Sequence, residues 1–135
     1  MKPLELHDQR HLEAAQDWFE LGNYLEANEE LEQVTPENRA HPAVLEVRWQ
    51  IYAKAKKWDG ALDIASTLAQ LVPEQPLGWV HRSYCLPEMK RTQEARDNLL
   101  RVVGKFPDDP IMRYNLACSV EPTSRRNGVL ALRGQ

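Results

Sequence analysis

Long apolar runs are missing from this chain. No stretch approaches the ~20 apolar residues that a membrane-crossing helix needs. A basic excess is missing too. Lys and Arg total 17 against 20 Asp and Glu, for a formal net charge of −3. That argues against nucleic-acid binding, which ordinarily shows a concentrated basic face. Cysteine is scarce, with only Cys85 and Cys118 and no Cys-x-x-Cys spacing, so both are expected to be structural thiols in a cytoplasmic protein. No apolar run follows Lys2, so no signal peptide is expected. The motifs of catalysis are absent as well: no Gly-rich phosphate loop, no Gly-x-Ser-x-Gly elbow and no carboxylate–histidine cluster at a fixed spacing. An enzyme is therefore not expected, and neither is a cofactor. His7 and His11 stand four apart, as in a two-histidine metal site, but no third ligand accompanies them. They read as solvated or capping side chains, and no metal is expected.

What the chain does contain is a rhythm. Hydrophobic residues make up 42% and charged residues 27% of its 135 positions, an ordinary balance for one folded domain. Ala27, Ala61 and Ala95 are spaced 34 residues apart. The same step links Trp18, Tyr52 and Leu86, then Leu31, Ala65 and Leu99, then Val34, Leu68 and Val102. Pro42, Pro76 and Pro110 share it, as do Pro73 and Pro107. Such a period is the signature of a repeat architecture.

Inside each unit the spacing is helical. Val44 or Leu45, Trp49, Tyr52 and Ala55 stripe one helix; Ala61, Ala65 and Leu68, with Leu62 and Leu71, stripe the next. A small alanine early in each second helix lets two helices cross closely. Gly22-Asn23 reads as a helix stop and turn, Thr92 as an N-cap, and Asp109-Pro110 as a capped start. Arg48 and Arg82 share a column, and each is expected to extend between helices and find a carboxylate at the edge. Departures also stand out. The first unit ends early, at Thr35-Pro36, leaving Glu37–His41 as a longer connector. Trp49 occupies a place whose counterparts Ala15, Ser83 and Ala117 are small. Pro87 is expected to kink or end its helix near Leu86.

The runs Leu-Gly-Asn-Tyr-Leu-Glu-Ala at 21–27, Lys-Lys-Trp-Asp-Gly-Ala at 56–61 and Lys-Arg-Thr-Gln-Glu-Ala at 90–95 resemble the tetratricopeptide repeat, over roughly residues 8–118. The resemblance implies an all-α, right-handed superhelical solenoid of antiparallel helix pairs. Its repeats fall at about 8–41, 42–75 and 76–109, with a capping helix at 110–119, all within a domain of residues 1–119. Residues 120–135 are expected to form a flexible tail; a degenerate second helix or an altered reading frame is the alternative.

In that family the first helices of successive pairs line a concave groove that binds peptides. By register the wall holds Leu12, Gln16, Phe19, Glu46, Val47, Gln50, Lys54, Leu77, Val80, His81, Tyr84 and Glu88. Ile111, Tyr114, Asn115 and Cys118 from the capping helix continue it. Chaperone-binding members carry a basic and asparagine clamp for a C-terminal carboxylate. Here the matching places hold Leu12, Gln16, Val47, Leu77 and His81, so the clamp is absent. Glu13, Glu20, Glu46 and Glu88 face only Lys54 as a fixed positive charge. The expected ligand is a protein or peptide segment, apolar or amphipathic and neutral to basic. The alternative is self-assembly: a homodimer through the same groove or an exposed solenoid end.

Overall fold

The computed structural model describes residues 2–111 and Tyr114. Among these residues every regular element is helical: α1 (Leu6–Glu20), α2 (Tyr24–Glu32), α3 (Pro42–Lys54), α4 (Trp58–Leu71), α5 (Leu77–Glu88) and α6 (Thr92–Val102). Short 3-10 turns at Pro36–Asn38 and Val103–Lys105 join or end them. The expected all-α class is what the chain adopts. Pro110, Ile111 and Tyr114 are helical, whereas most of the expected capping helix and the whole 120–135 segment lie outside the described residues. The chain divides into two compact units, Met1–Ile64 and Ala65–Gln135, with the boundary inside α4.

One turn is used three times. After α1, Gly22 takes φ +82°, its N–H donates to the Phe19 carbonyl at 2.9 Å, and the Asn23 N–H donates to the Trp18 carbonyl at 2.9 Å. After α3, Lys56 takes φ 58°, with Lys56 N–H to Ala53 O at 3.0 Å and Lys57 N–H to Tyr52 O at 2.9 Å. After α5, Lys90 takes φ 60°, with Lys90 N–H to Pro87 O at 2.9 Å and Arg91 N–H to Leu86 O at 2.8 Å. Each is a Schellman ending, in which one left-handed residue lets two N–H groups satisfy carbonyls that the helix end would orphan. The steps from Gly22 to Lys56 and from Lys56 to Lys90 are the same as those between the alanines. In turn, Ala27, Ala61 and Ala95 each donate an N–H to the residue that opens the next helix: Asn23, Lys57 and Arg91. All three alanines are buried.

The first unit is built around Leu12, Ala15, Ala27, Leu31, Val34, Val44, Val47 and Ile51, with Phe19, Tyr24 and Tyr52 packed on its rim. α1 and α2 form a hairpin, and α3 packs against both. Burying each Leu or Val in such a core stabilises it by about 1.5–3 kcal/mol, so truncating Leu31, which is fully buried, would weaken the hairpin. In the second unit Val80 packs with Leu99 and Val102, covered by Trp79, Val103 and Phe106.

Some local expectations are revised. Arg91, not Thr92, holds the N-cap position of α6, and no side chain caps that helix. α5 runs through Pro87 to Glu88, because a proline in the last turn removes only one N–H and the Schellman bonds satisfy the carbonyls there. Ala55 and Leu71 are exposed although both fall on apolar stripes of the sequence. Trp49 is buried, as its place in the apolar stripe leads one to expect.

Candidate functional site

The polar side chains at the helix joints are positioned most tightly. Asp8, in the first turn of α1, is 1% exposed. Its Oδ1 accepts from the Thr35 N–H at 2.8 Å and the Thr35 hydroxyl at 3.0 Å, and its Oδ2 accepts from Asn38 Nδ2 at 2.6 Å. The Asn38 amide and the Thr35 N–H hold the Asp8 carboxyl below its ordinary value, against the opposing effect of burial. Arg39 caps the same joint, donating from Nε to Val34 O at 3.0 Å and from Nη2 to Glu32 O at 2.7 Å. Sequence reasoning missed this lock, because it joins residues about thirty apart. The only available signal was the polar connector after Thr35.

The arginine column reaches back to the preceding helix at equivalent places. Arg48 Nη2 pairs with Glu32 at 3.1 Å, and its Nη1 donates to Asn28 at 3.1 Å. Arg82 donates from Nη1 to Ser66, which stands 34 residues after Glu32, and from Nε to Asn98 at 3.0 Å. The expected carboxylate is present for Arg48, whereas Arg82 meets two neutral oxygens. Burial pulls the Arg82 guanidinium below its usual range, and Glu94 partly offsets it. His7 and His11 stack edge to face at 4.8 Å between ring centroids. His7 Nε2 lies 3.3 Å from Gln33 O, and His11 Nδ1 lies 3.4 Å from Glu30. Among the described residues no group of three or more His, Cys, Asp or Glu is placed to hold a metal ion. None of their helices is long and apolar enough to cross a membrane.

The residues assigned to the groove wall divide in two. Leu12, Val47, Val80 and His81 are buried; Leu12 and Val47 belong to the first unit's core and Val80 to the second's. Leu12, Val47 and Val80 pack helices together, and none of the four side chains is exposed. The apolar face of a core helix spans a wide stripe, and these positions fall inside it. Gln16 and Lys54 are exposed, as are Leu77, Ile111 and Tyr114, at 40%, 44% and 38%. Phe19, Glu46, Gln50, Tyr84 and Glu88 are half-buried. Gln50 donates to Glu46 at 3.1 Å, one turn away, and the Phe19 ring lies 5.4 Å from that of Tyr24. Asn115 and Cys118 lie outside the described residues; Cys85 is buried. No family model matches the chain, and no curated protein or solved structure matches it.

Proposed function

We propose that this chain is a non-catalytic interaction scaffold of the tetratricopeptide type, its helix pairs stacked as a right-handed superhelix. The observation that carries the reading is the Schellman turn repeated at Gly22, Lys56 and Lys90, each followed five residues later by a buried alanine. A rhythm held in both backbone and sequence is what stacked helical hairpins require. On this reading the ligand is a protein or peptide segment lying along the first helices of the pairs. Its chemistry follows from the side chains left accessible there: Leu77, Ile111 and Tyr114 offer apolar contact, while Glu46 and Glu88 favour a neutral to basic segment.

The test is affinity capture from native lysate with wild type, Leu77→Glu and Tyr84→Ala, each checked for unchanged helical circular dichroism. Both variants are expected to lose the proteins that wild type retains. Equal retention by all three removes the groove from these residues.

A further inference from the structure

The three Schellman turns share a backbone but not a surface. At the first, Leu21 and Leu25 are 76% and 72% exposed, and Trp18 is 36% exposed. An isolated exposed leucine carries no message, but three large apolar side chains within eight residues form a patch. The turn does not need them. One period later their places are taken by Ala55, Asp59 and a half-buried Tyr52, and two periods later by Met89, Gln93 and a buried Leu86, with the same hydrogen bonds. The charge around the patch is one-sided. Between Glu13 and Glu29 five carboxylates stand and there is no Lys or Arg. Asp17, Glu20, Glu26 and Glu29 flank the turn, all exposed and none paired with a cation among the described residues. The second and third turns instead carry Lys54, Lys56 and Lys57, and Lys90 and Arg91.

We propose that the turn end of the α1–α2 hairpin is a docking surface for a basic, amphipathic helical segment of another protein. Such a segment seats its apolar side chains on Trp18, Leu21 and Leu25 and its lysines or arginines on the flanking carboxylates. Charge complementarity selects this occupant: an acidic segment would meet unneutralised like charge, and a purely basic one would leave the leucines in water. The surface shares no side chain with the ligand contacts proposed above, Leu77, Tyr84, Ile111, Tyr114, Glu46 and Glu88.

The probe is a fluorescein-labelled synthetic amphipathic helix of leucine and lysine, followed by anisotropy against the full chain, with a leucine–glutamate helix as control. Wild type is expected to bind the lysine probe, weakening with salt as exposed charge contacts do, and to ignore the glutamate probe. Leu21→Ser/Leu25→Ser should weaken binding at least about tenfold, the loss of roughly 1.4 kcal/mol of contact. Both leucines are exposed, so the fold should survive, as circular dichroism would verify. Glu26→Lys/Glu29→Lys should weaken it similarly, and Tyr84→Ala should leave it intact. Undiminished binding by the leucine variant, or equal binding of the glutamate probe, overturns the proposal. Loss of the lysine probe in Tyr84→Ala alone assigns it to the groove and also overturns it. A wild-type dimer by light scattering that the leucine variant abolishes makes a second copy the occupant and overturns it as well.

Discussion

Two joints within the chain pass from a second helix to the next first helix, and they solve the same problem with opposite chemistry. From α2 to α3 the chain spends a long connector and locks it with polar groups: the Asp8 carboxylate on Thr35 and Asn38, and the Arg39 guanidinium on the carbonyls that end α2. From α4 to α5 the connector is short, and the lock is contact. A Cβ added to Gly78 would lie 2.5 Å from the backbone nitrogen of Ala69 and 2.9 Å from its Cα. The difference teaches that a fixed period constrains where helices begin and end and leaves open how consecutive helices are held. A polar lock tolerates extra residues in the connector, because its hydrogen bonds define the end point. A backbone contact tolerates neither extra length nor an extra methyl group.

The largest expected effect breaks the contact joint. In Gly78→Ala the methyl group meets main chain, not a flexible side chain, so one helix must move off the other. Overpacking of this kind costs about 3 kcal/mol, read as a lower urea midpoint with helical content retained. The same substitution at Gly22 meets no atom within 4 Å and tests conformation alone. A loss at Gly78 no larger than at Gly22 would deny the close approach.

Breaking the polar joint should cost less, and its cost should depend on pH. Asp8→Ala strands the Thr35 N–H and the Asn38 amide and removes a charged acceptor, a loss of about 2 kcal/mol at neutral pH. The folded-state carboxyl is held below the ordinary aspartate value of 3.8. Its stabilisation is therefore complete above that value, where it is ionised both folded and unfolded. It is lost as pH falls from 3.8 through the lower folded-state value, where the folded protein must take up a proton. Denaturation curves of wild type and Asp8→Ala should differ most near neutrality and converge in acid. A gap independent of pH would assign the loss to packing.

The joints also mark how far the sequence could be read. Periodic apolar residues, prolines and the Gly22-Asn23 signal sufficed for the order of the six described helices and for the α1–α2 and α5–α6 pairs, because local chemistry encodes them. Burial was less legible. Register alone points Leu12, Val47 and Val80 at a surface, yet all three are buried, because register says where a residue stands on its helix but not how wide a face its neighbours cover. The Asp8 lock and the Gly78 contact each depend on which elements meet, so no local pattern announces them. The left-handed residues at Lys56 and Lys90 were visible only as breaks, since lysine carries no preference for positive φ.

Those two lysines supply the smallest effect. A non-glycine residue in the left-handed region crowds its Cβ against the backbone, at a cost of about 1 kcal/mol. The first turn avoids that cost with Gly22, and the second and third do not. Lys56→Gly and Lys90→Gly should each stabilise the chain by roughly 0.5 kcal/mol, because relief of strain exceeds the entropy that glycine adds to the unfolded chain. Gly22→Ala should destabilise it by about 1 kcal/mol through the same geometry in reverse. The opposite signs are the discriminating result: thermal melts in which all three substitutions shift the same way would mean that the turns are not equivalent in energy, whatever hydrogen bonds they share.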